Sequence, residues 1–202
     1  MRRRILLLTL AALVAAGAAV GGVLLARDGS PGGVYVGSRP PTGITLPDFA
    51  LPEAGGAVVR GRDLRGKVVL VTFLDTECRE ACPLIAERIR AGLGFLSPEE
   101  RTRVAAVAIT VNPEHDTPAS VAAFLRDHRA QGTLHYLIGS EQELRPVWTA
   151  FAVQPSLDTG EADIHSAPVQ IYDTSAVWAS TLTTGVDLTP ENLAHEVRVA
   201  LG

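Results

Sequence analysis

Apolar residues recur along the chain in two alternating patterns, from about residue 47 to the C-terminus. Continuously apolar runs, as in Lys67 to Phe73 and Arg103 to Val111, are typical of buried strands. Between these runs, apolar residues three and four positions apart predict amphipathic helices of about 10 to 13 residues. Strands that alternate with helices in this way predict an α/β fold, with a central mixed β-sheet flanked by helices.

Turn and capping residues indicate where the elements begin. The segment Glu53 to Gly56 separates two short strands and predicts an N-terminal hairpin. Pro83 is tolerated only in the first turn of a helix, so the helix after the first buried strand is expected to begin near Cys82. Two more helices have N-cap signals, namely Thr117 with Pro118 and Ser140 with Glu143. The other predicted elements are a strand at 134–138, a hairpin at 169–181 and a helix at 189–201.

The first 26 residues differ from the rest in composition. Three arginines precede a run without charges from Ile5 to Ala26. At about 1.5 Å per residue, this run is long enough to cross a bilayer core of about 30 Å. Because the arginines favour the cytoplasmic side, the sequence predicts a signal anchor or transmembrane helix over residues 1–26. A cleaved signal peptide is the alternative, with the small residues Ala15 to Ala19 as its cleavage region.

Both readings of the N-terminus place the folded domain on the extracytoplasmic side of the cell membrane. Residues 27–46 are rich in Gly, Pro and Ser, which predicts a flexible linker, and residues 47–202 form the predicted domain. The net charge is −4 and no basic face is evident, which argues against a nucleic-acid partner.

The only two cysteines, Cys78 and Cys82, come directly after the first buried strand. Four positions apart, they share one face of a helix if the segment is helical. Two thiolates there can hold a soft metal ion or close into a disulfide. A purely structural disulfide is the less favoured alternative, because a bridge around three residues removes little chain entropy.

Four segments, in order, resemble the Sco/SenC family of membrane-anchored copper-binding assembly proteins: Thr72-Phe-Leu-Asp-Thr-Glu-Cys-Arg-Glu-Ala-Cys-Pro-Leu84, Ile109-Thr-Val-Asn-Pro-Glu-His-Asp-Thr-Pro118, the segment 137–151, and Asp163-Ile-His-Ser-Ala-Pro-Val-Gln-Ile-Tyr-Asp173. The resemblance implies a thioredoxin-like fold that binds one copper ion, as Cu(I) or Cu(II), through Cys78, Cys82 and His165. It also implies a role in assembling the binuclear copper centre of cytochrome c oxidase, with an oxidase subunit or another cuproprotein as partner.

The chemistry of these three residues agrees with that implication. Thiolates suit soft Cu(I), and an imidazole also suits Cu(II), so the set can hold either oxidation state. A three-coordinate site leaves room for a ligand from the partner that receives the metal. Zinc is the chemical alternative, but no acid–base residue for hydrolysis is evident.

Several residues near these ligands depart from the family's usual pattern. They are Arg79 and Glu80 after the first cysteine, Ile164 before the histidine, with Asp163 one position further back, and Asn112 in the second segment. Asp75 and Glu77 are expected either to shape recognition or to be solvated. No signal marks the other histidines as ligands, namely His115, His128, His135 and His195. Trp148 and Phe151 are expected in the core.

Two further functions share this fold. In a thiol–disulfide oxidoreductase acting on the cysteines of a cuproprotein, Cys78 would attack and Cys82 would resolve the mixed disulfide. A peroxidase of the peroxiredoxin type is less favoured. The Ala167–Pro168 bond is similar in position to the cis-proline of thioredoxins, and a cis bond there would favour the oxidoreductase.

Overall fold

The computed structural model describes residues 33–155 and 168–202. In chain order the elements are β1 (Ala50–Pro52), β2 (Val58–Arg60), a short 3-10 helix (Gly61–Leu64), β3 (Val68–Leu74), α1 (Ala81–Gly94), α2 (Pro98–Thr102), β4 (Val104–Thr110), α3 (Pro118–Asp127), β5 (His135–Leu137), α4 (Glu141–Ala150), β6 (Val169–Tyr172), β7 (Trp178–Leu182) and α5 (Pro190–Leu201).

Five of the strands form one mixed sheet in the order β5-β4-β3-β6-β7. Strands β3, β4 and β5 run parallel, β6 pairs antiparallel with β3, and β7 pairs antiparallel with β6 at the edge of the sheet. Strands β1 and β2 pair as a separate antiparallel hairpin. The predicted mixed sheet flanked by helices and the N-terminal hairpin are therefore confirmed. The predicted anchor, residues 1–26, lies outside the described residues, and no helix within 33–155 and 168–202 is long and apolar enough to cross a bilayer.

Strand β3 is buried along its whole length because both faces of the sheet are covered. Leu70 and Leu74 belong to the apolar cluster that includes the buried faces of α1, α3 and α5. Val71 and Phe73 point to the opposite face and belong to the cluster formed with α4 and the N-terminal hairpin. Each fully buried apolar side chain of this size contributes about 1.5–3 kcal/mol to stability, so β3 is firmly held between the two apolar clusters.

The helix starts follow the predicted capping signals. Thr117 accepts a hydrogen bond from the amide of Ser120, and Ser140 accepts one from that of Glu143. Sequence reasoning missed α2, although Ser97 forms a full capping box there. It also missed the 3-10 helix before β3. Both elements span only four or five residues, which is too short for a helical period of apolar residues to be recognised.

Residues 33–46, within the segment assigned above to a linker, lie along β7. Ser38 and Thr45 form isolated bridges with Thr181 and Val177. The buried carboxylate of Glu196 accepts hydrogen bonds from the amides of Val36, at 2.5 Å, and Gly37, at 3.2 Å, as well as from the hydroxyl of Ser180. The division of the chain into linker and domain stays a prediction.

Two fully buried threonines on adjacent strands differ in how their hydroxyls are satisfied. The hydroxyl of Thr72 on β3 has no hydrogen-bond partner among the described residues. The hydroxyl of Thr110 on β4 donates to Asp116 Oδ2 at 2.6 Å and accepts from the amide of Asn112 at 3.0 Å. An unsatisfied buried hydroxyl costs about 1–3 kcal/mol, whereas a satisfied one is costly to remove.

We therefore expect Thr72→Val to raise the free energy of unfolding by about 1 kcal/mol and Thr110→Val to lower it by about 1–3 kcal/mol. Valine has nearly the shape of threonine, so each substitution measures what the hydroxyl alone contributes to stability. Urea unfolding followed by circular dichroism measures both. Equal destabilisation by the two substitutions would show that the Thr72 hydroxyl has a partner after all.

Candidate metal centre

The two cysteines lie at the carboxyl end of β3, where the chain turns into α1. Cys82 is the second residue of α1, followed by Pro83 in the first turn, as predicted. Cys78 precedes the helix and lies in the loop, so the pair does not share a helix face. The reason is that Asp75 to Glu80 forms a bend held by its own hydrogen bonds, which delays the start of the helix.

The loop nevertheless brings the two sulfurs together. The amide of Cys82 donates to the sulfur of Cys78 at 3.2 Å, so a helix N-terminal amide points at a sulfur. Both side chains are buried, at 4% and 3% exposed, and both are thiols in this structure. The two sulfurs are available as soft metal ligands, and the Cys82 amide can donate a hydrogen bond to a metal-bound thiolate. This arrangement fits a soft cation.

The nearby Cys78 sulfur and burial keep the Cys82 thiol protonated. A hydrogen bond with Cys78, then burial, then the nearby sulfur charge raise the pKa of the Cys82 thiol far above its ordinary value, and a backbone hydrogen bond from Asp75 only partly opposes them. Two thiolates therefore do not coexist here without a compensating cation. A metal ion that binds both sulfurs must displace a proton.

The buried carboxylate of Asp116 fixes the start of the cysteine loop. Its Oδ1 accepts from the amide of Thr76 at 2.9 Å and from the Thr76 hydroxyl at 2.6 Å. Its Oδ2 accepts from the hydroxyls of Thr110, at 2.6 Å, and Tyr136, at 2.7 Å. Burial raises the pKa of Asp116, while these hydrogen bonds act in the opposite direction. Asp116 thus ties the loop to β4 and β5.

A second buried carboxylate, Asp75, lies within the cysteine loop itself. Its Oδ1 accepts from the amide of Glu77 at 2.8 Å, and its Oδ2 accepts from Asn112 Nδ2 at 3.1 Å. Its backbone carbonyl accepts from the amide of Cys78 at 3.3 Å. Asp75 is fully buried, so the expectation of a solvated side chain is wrong for Asp75 and holds only for Glu77, which is exposed.

The third predicted ligand, His165, lies outside the described residues, as do Asp163, Ile164 and the Ala167–Pro168 bond. Within residues 33–155 and 168–202, no three His, Cys, Asp or Glu side chains are grouped as a metal site requires. His115 Nδ1 lies 3.0 Å from Asn112 Oδ1 and 3.7 Å from Glu77 Oε2, which places this ring beside the cysteine loop.

The remaining histidines have other partners. His128 pairs with Glu87, His135 pairs with Glu53, and His195 contacts the carbonyl oxygen of Val34. The two aromatic residues predicted for the core, Trp148 and Phe151, are buried as expected. Around the cysteines the exposed side chains are charged, namely Glu77, Arg79 and Glu80.

Sequence reasoning did not single out Asp116, Thr76 or Tyr136, although they hold the loop. Thr76 and Asp116 stand in the first and second of the four segments that carry the family resemblance, and this position in the sequence could have drawn attention to them. Tyr136 lies twenty residues beyond Asp116 in a short strand, and only the folded sheet brings its hydroxyl to that carboxylate.

Curated proteins with related sequences carry SCO names. The relative called Protein SCO2 homolog, mitochondrial, from Bos taurus is 32% identical over 117 residues, which are 57% of this chain and 43% of that protein. The chain spans about half the length of the curated relatives it matches.

Solved structures share the fold. The structure of Bradyrhizobium japonicum ScoI with copper bound is 28% identical, with a TM-score of 0.62, and the match covers 78% of this chain and all of that one. BsSco, described as a member of the Sco family of cytochrome c oxidase assembly proteins with a disulfide switch, has a TM-score of 0.65 at 20% identity, over 83% of this chain and 96% of that one. At that identity the second likeness shows the fold alone.

A family model described as SCO1/SenC matches residues 38–202, which are most of the chain and include every described strand and helix. Together with the mixed sheet and the paired sulfurs at the end of β3, this match settles the family. The chain belongs to the SCO1/SenC family.

Proposed function

We propose that this chain is a membrane-anchored, extracytoplasmic copper chaperone, which holds one copper ion on Cys78, Cys82 and His165. The observation that carries the proposal is the 3.2 Å contact between the Cys82 amide and the Cys78 sulfur, because it brings two soft donors together. The recipient is an oxidase subunit or another cuproprotein. Copper is the ion that the protein transfers. A site with few protein ligands suits this transfer, because the recipient can add a ligand of its own.

The position of β6 supports His165 as the third ligand. Strand β6 is antiparallel to β3, with Gln170 opposite Val71, so β6 enters the sheet at the edge where β3 ends. His165 precedes Val169 by four residues, and a chain of that length spans at most about 14 Å. A chain of that length is able to reach the edge of the sheet that presents the two sulfurs, which supports His165 as the proposed third ligand.

The comparisons support copper as the ligand. ScoI of Bradyrhizobium japonicum was solved with copper bound, and BsSco is placed among cytochrome c oxidase assembly proteins. Transferred to this chain, these descriptions support copper as the metal and oxidase assembly as the proposed role, and the binuclear copper centre is the target that the family resemblance implies. The run without charges from Ile5 to Ala26 supports an anchor, with the domain on the outer or periplasmic side.

A thiol–disulfide oxidoreductase is the second candidate function. The paired thiols of Cys78 and Cys82 favour it, since two sulfurs held together can close into a disulfide and reopen. His165→Ala separates the two functions. Loss of copper binding with retained dithiol exchange identifies the imidazole as a metal ligand that the redox reaction does not need.

We expect Cys78→Ser, Cys82→Ser and His165→Ala each to weaken Cu(I) binding at least a hundredfold, because each removes one donor from a three-donor set. Competition titration of the reduced chain against a colorimetric Cu(I) chelator measures the affinity. His115→Ala is the matched control, since it removes an imidazole beside the same loop, and it should leave the affinity within about threefold.

If His115→Ala lost copper binding and His165→Ala kept it, the third ligand would be His115 and not His165. Retention of full affinity in either serine variant would contradict a site built on both sulfurs.

Copper binding is expected to tighten as the pH rises from 6 to 8. The pKa of the Cys82 thiol is raised far above this range by its hydrogen bond with Cys78 and by burial, so the thiol stays protonated until the metal displaces the proton. Each thiol that loses its proton to the solvent on binding makes the affinity rise about tenfold per pH unit, so with two thiols the rise should be at least tenfold per unit. The same competition titration at pH 6, 7 and 8, corrected for protonation of the chelator, measures the slope. A flat profile would contradict binding through this thiol.

A further inference from the structure

A cavity of about 420 Å³ lies at the end of the sheet opposite the two cysteines. It is bounded by α1, α2, the first residues of β4 and β5, and the loop between α3 and β5. Strand β4 begins at Val104 beside this cavity and runs parallel to β3 for seven residues, and the cysteine loop follows the far end of β3. Seven strand residues span about 20 Å, so the cavity is separate from the proposed copper site.

The walls of this cavity are positively charged. Arg90, Arg101 and Arg129 line it together with His135, whereas no aspartate or glutamate among the described residues does. None of the three guanidinium groups has an ion pair or a hydrogen bond within residues 33–155 and 168–202. The Nε of Arg90 is also buried without a hydrogen-bond partner in that part of the chain. The three arginines therefore carry charge that the described protein does not neutralise.

Three carboxylates beside the cavity have other partners. The pairs are Glu87 with His128 at 3.2 Å, Asp127 with Arg126 at 3.1 Å, and Glu53 with His135 at 3.1 Å. These carboxylates reduce the positive potential around the cavity, but none of them forms an ion pair with one of the three arginines. An anion that enters the cavity therefore meets guanidinium groups whose donors are still available.

The backbone at Arg129 permits a clean test of its side chain. Arg129 follows the C-cap of α3 and has a φ of 55°. Its amide donates to the carbonyl of Arg126 at 3.0 Å, and the amide of Ala130 donates to that of Leu125 at 2.8 Å. These two hydrogen bonds form a Schellman turn, in which glycine is the favoured residue at the position of Arg129. Glycine can therefore remove the guanidinium group without straining the turn.

Charge, wall composition and volume together define the class of ligand. Guanidinium groups bind phosphate and carboxylate oxygens with paired hydrogen bonds. Three of them match the two charges and three terminal oxygens of a phosphate monoester better than the single charge of a carboxylate. Another part of the wall is apolar, formed by Leu93, Val104 and Ala106. The volume is in the range of about 300–1,000 Å³ that is typical of small-molecule sites and exceeds what a bare phosphate ion fills.

We propose that this cavity binds an organic phosphate monoester. The three arginines surround the phosphate group, and the apolar part of the wall contacts the carbon portion of the ligand. This inference goes beyond copper binding and does not depend on it, because the two sites lie at opposite ends of the sheet.

Isothermal titration calorimetry of the 202-residue chain, in a buffer without phosphate, tests the class of ligand. The probes are phenyl phosphate, inorganic phosphate and benzoate. Phenyl phosphate should bind at least about tenfold more tightly than either of the other two, because only it has both a dianionic group and a carbon portion. Absence of binding by phenyl phosphate, or equal affinity for phenyl phosphate and either other probe, would overturn the proposal.

Two variants test the assigned residues. Arg90→Gln and Arg129→Gly should each weaken the binding of phenyl phosphate at least about fivefold, since each removes a charged donor. Arg126→Gln is the matched control, because Arg126 lies at the same end of α3 but pairs with Asp127 and does not line the cavity. It should change the affinity less than about twofold.

Thermal unfolding separates loss of the ligand contact from loss of the fold. Arg129→Gly should unfold at a temperature at least as high as the unaltered chain, because glycine suits the left-handed backbone. Unchanged affinity in either arginine variant, or equal weakening by Arg126→Gln, would contradict a phosphate site formed by the three arginines.

Phosphate monoesters occur as soluble molecules and as lipid headgroups, and a water-soluble lipid distinguishes the two sources. Dihexanoyl phosphatidic acid is titrated below its critical micelle concentration in the same experiment. Tighter binding than phenyl phosphate supports a site for a lipid headgroup, and weaker binding supports one for a soluble molecule. Binding of neither probe overturns the proposal for both sources.

Discussion

The four hydrogen bonds to the buried carboxylate of Asp116 are the interaction on which the rest of the site depends. They join the cysteine loop, through Thr76, to β4 and β5, through Thr110 and Tyr136. A hydrogen bond to a charged group contributes about 1.5–3 kcal/mol, and leaving such a carboxylate unpaired inside the protein costs more. The loop conformation that satisfies Asp116 also places the Cys78 sulfur against the amide of Cys82 in the first turn of α1.

The sheet topology determines what else can reach the sulfurs. Strands β3, β4 and β5 run parallel, so the loops that follow β3 and β4 meet at one edge, where Asn112 and Asp116 contact the cysteine loop. Strand β6 runs the other way and enters at that same edge. The chain thus brings two sulfurs, two buried carboxylates and the entry to β6 together from segments that are distant in sequence.

Local patterns in the sequence predicted the strands, the helix starts and the position of the cysteines after β3, because these features depend on neighbouring residues. The apolar run of β3, the capping boxes at Thr117 and Ser140, and Pro83 in the first turn of α1 are signals of this kind. The bend that leaves Cys78 outside the helix is held by its own hydrogen bonds and also by Asn112 and Asp116, which lie in the loop after β4. A local pattern cannot show that contribution.

Asp75 illustrates the same limit. As a charged residue at the start of a loop it resembles a solvated residue, yet it is buried, and Asn112, 37 positions later, donates a hydrogen bond to it. Asn112 departs from the usual pattern of the family, and the structure gives it a partner, since its side-chain amide donates to the Asp75 carboxylate. His165 as a ligand stays a prediction, because the segment that carries it lies outside the described residues.

In the proposed function a single copper ion is bound by two sulfurs and one imidazole nitrogen. X-ray absorption spectroscopy at the copper edge, on the reduced chain loaded with one equivalent of Cu(I), counts those donors directly. Two sulfur scatterers and one nitrogen scatterer with the outer-shell pattern of an imidazole are the expected result. A shell with a single sulfur, or with sulfur alone and no imidazole, would contradict the claim.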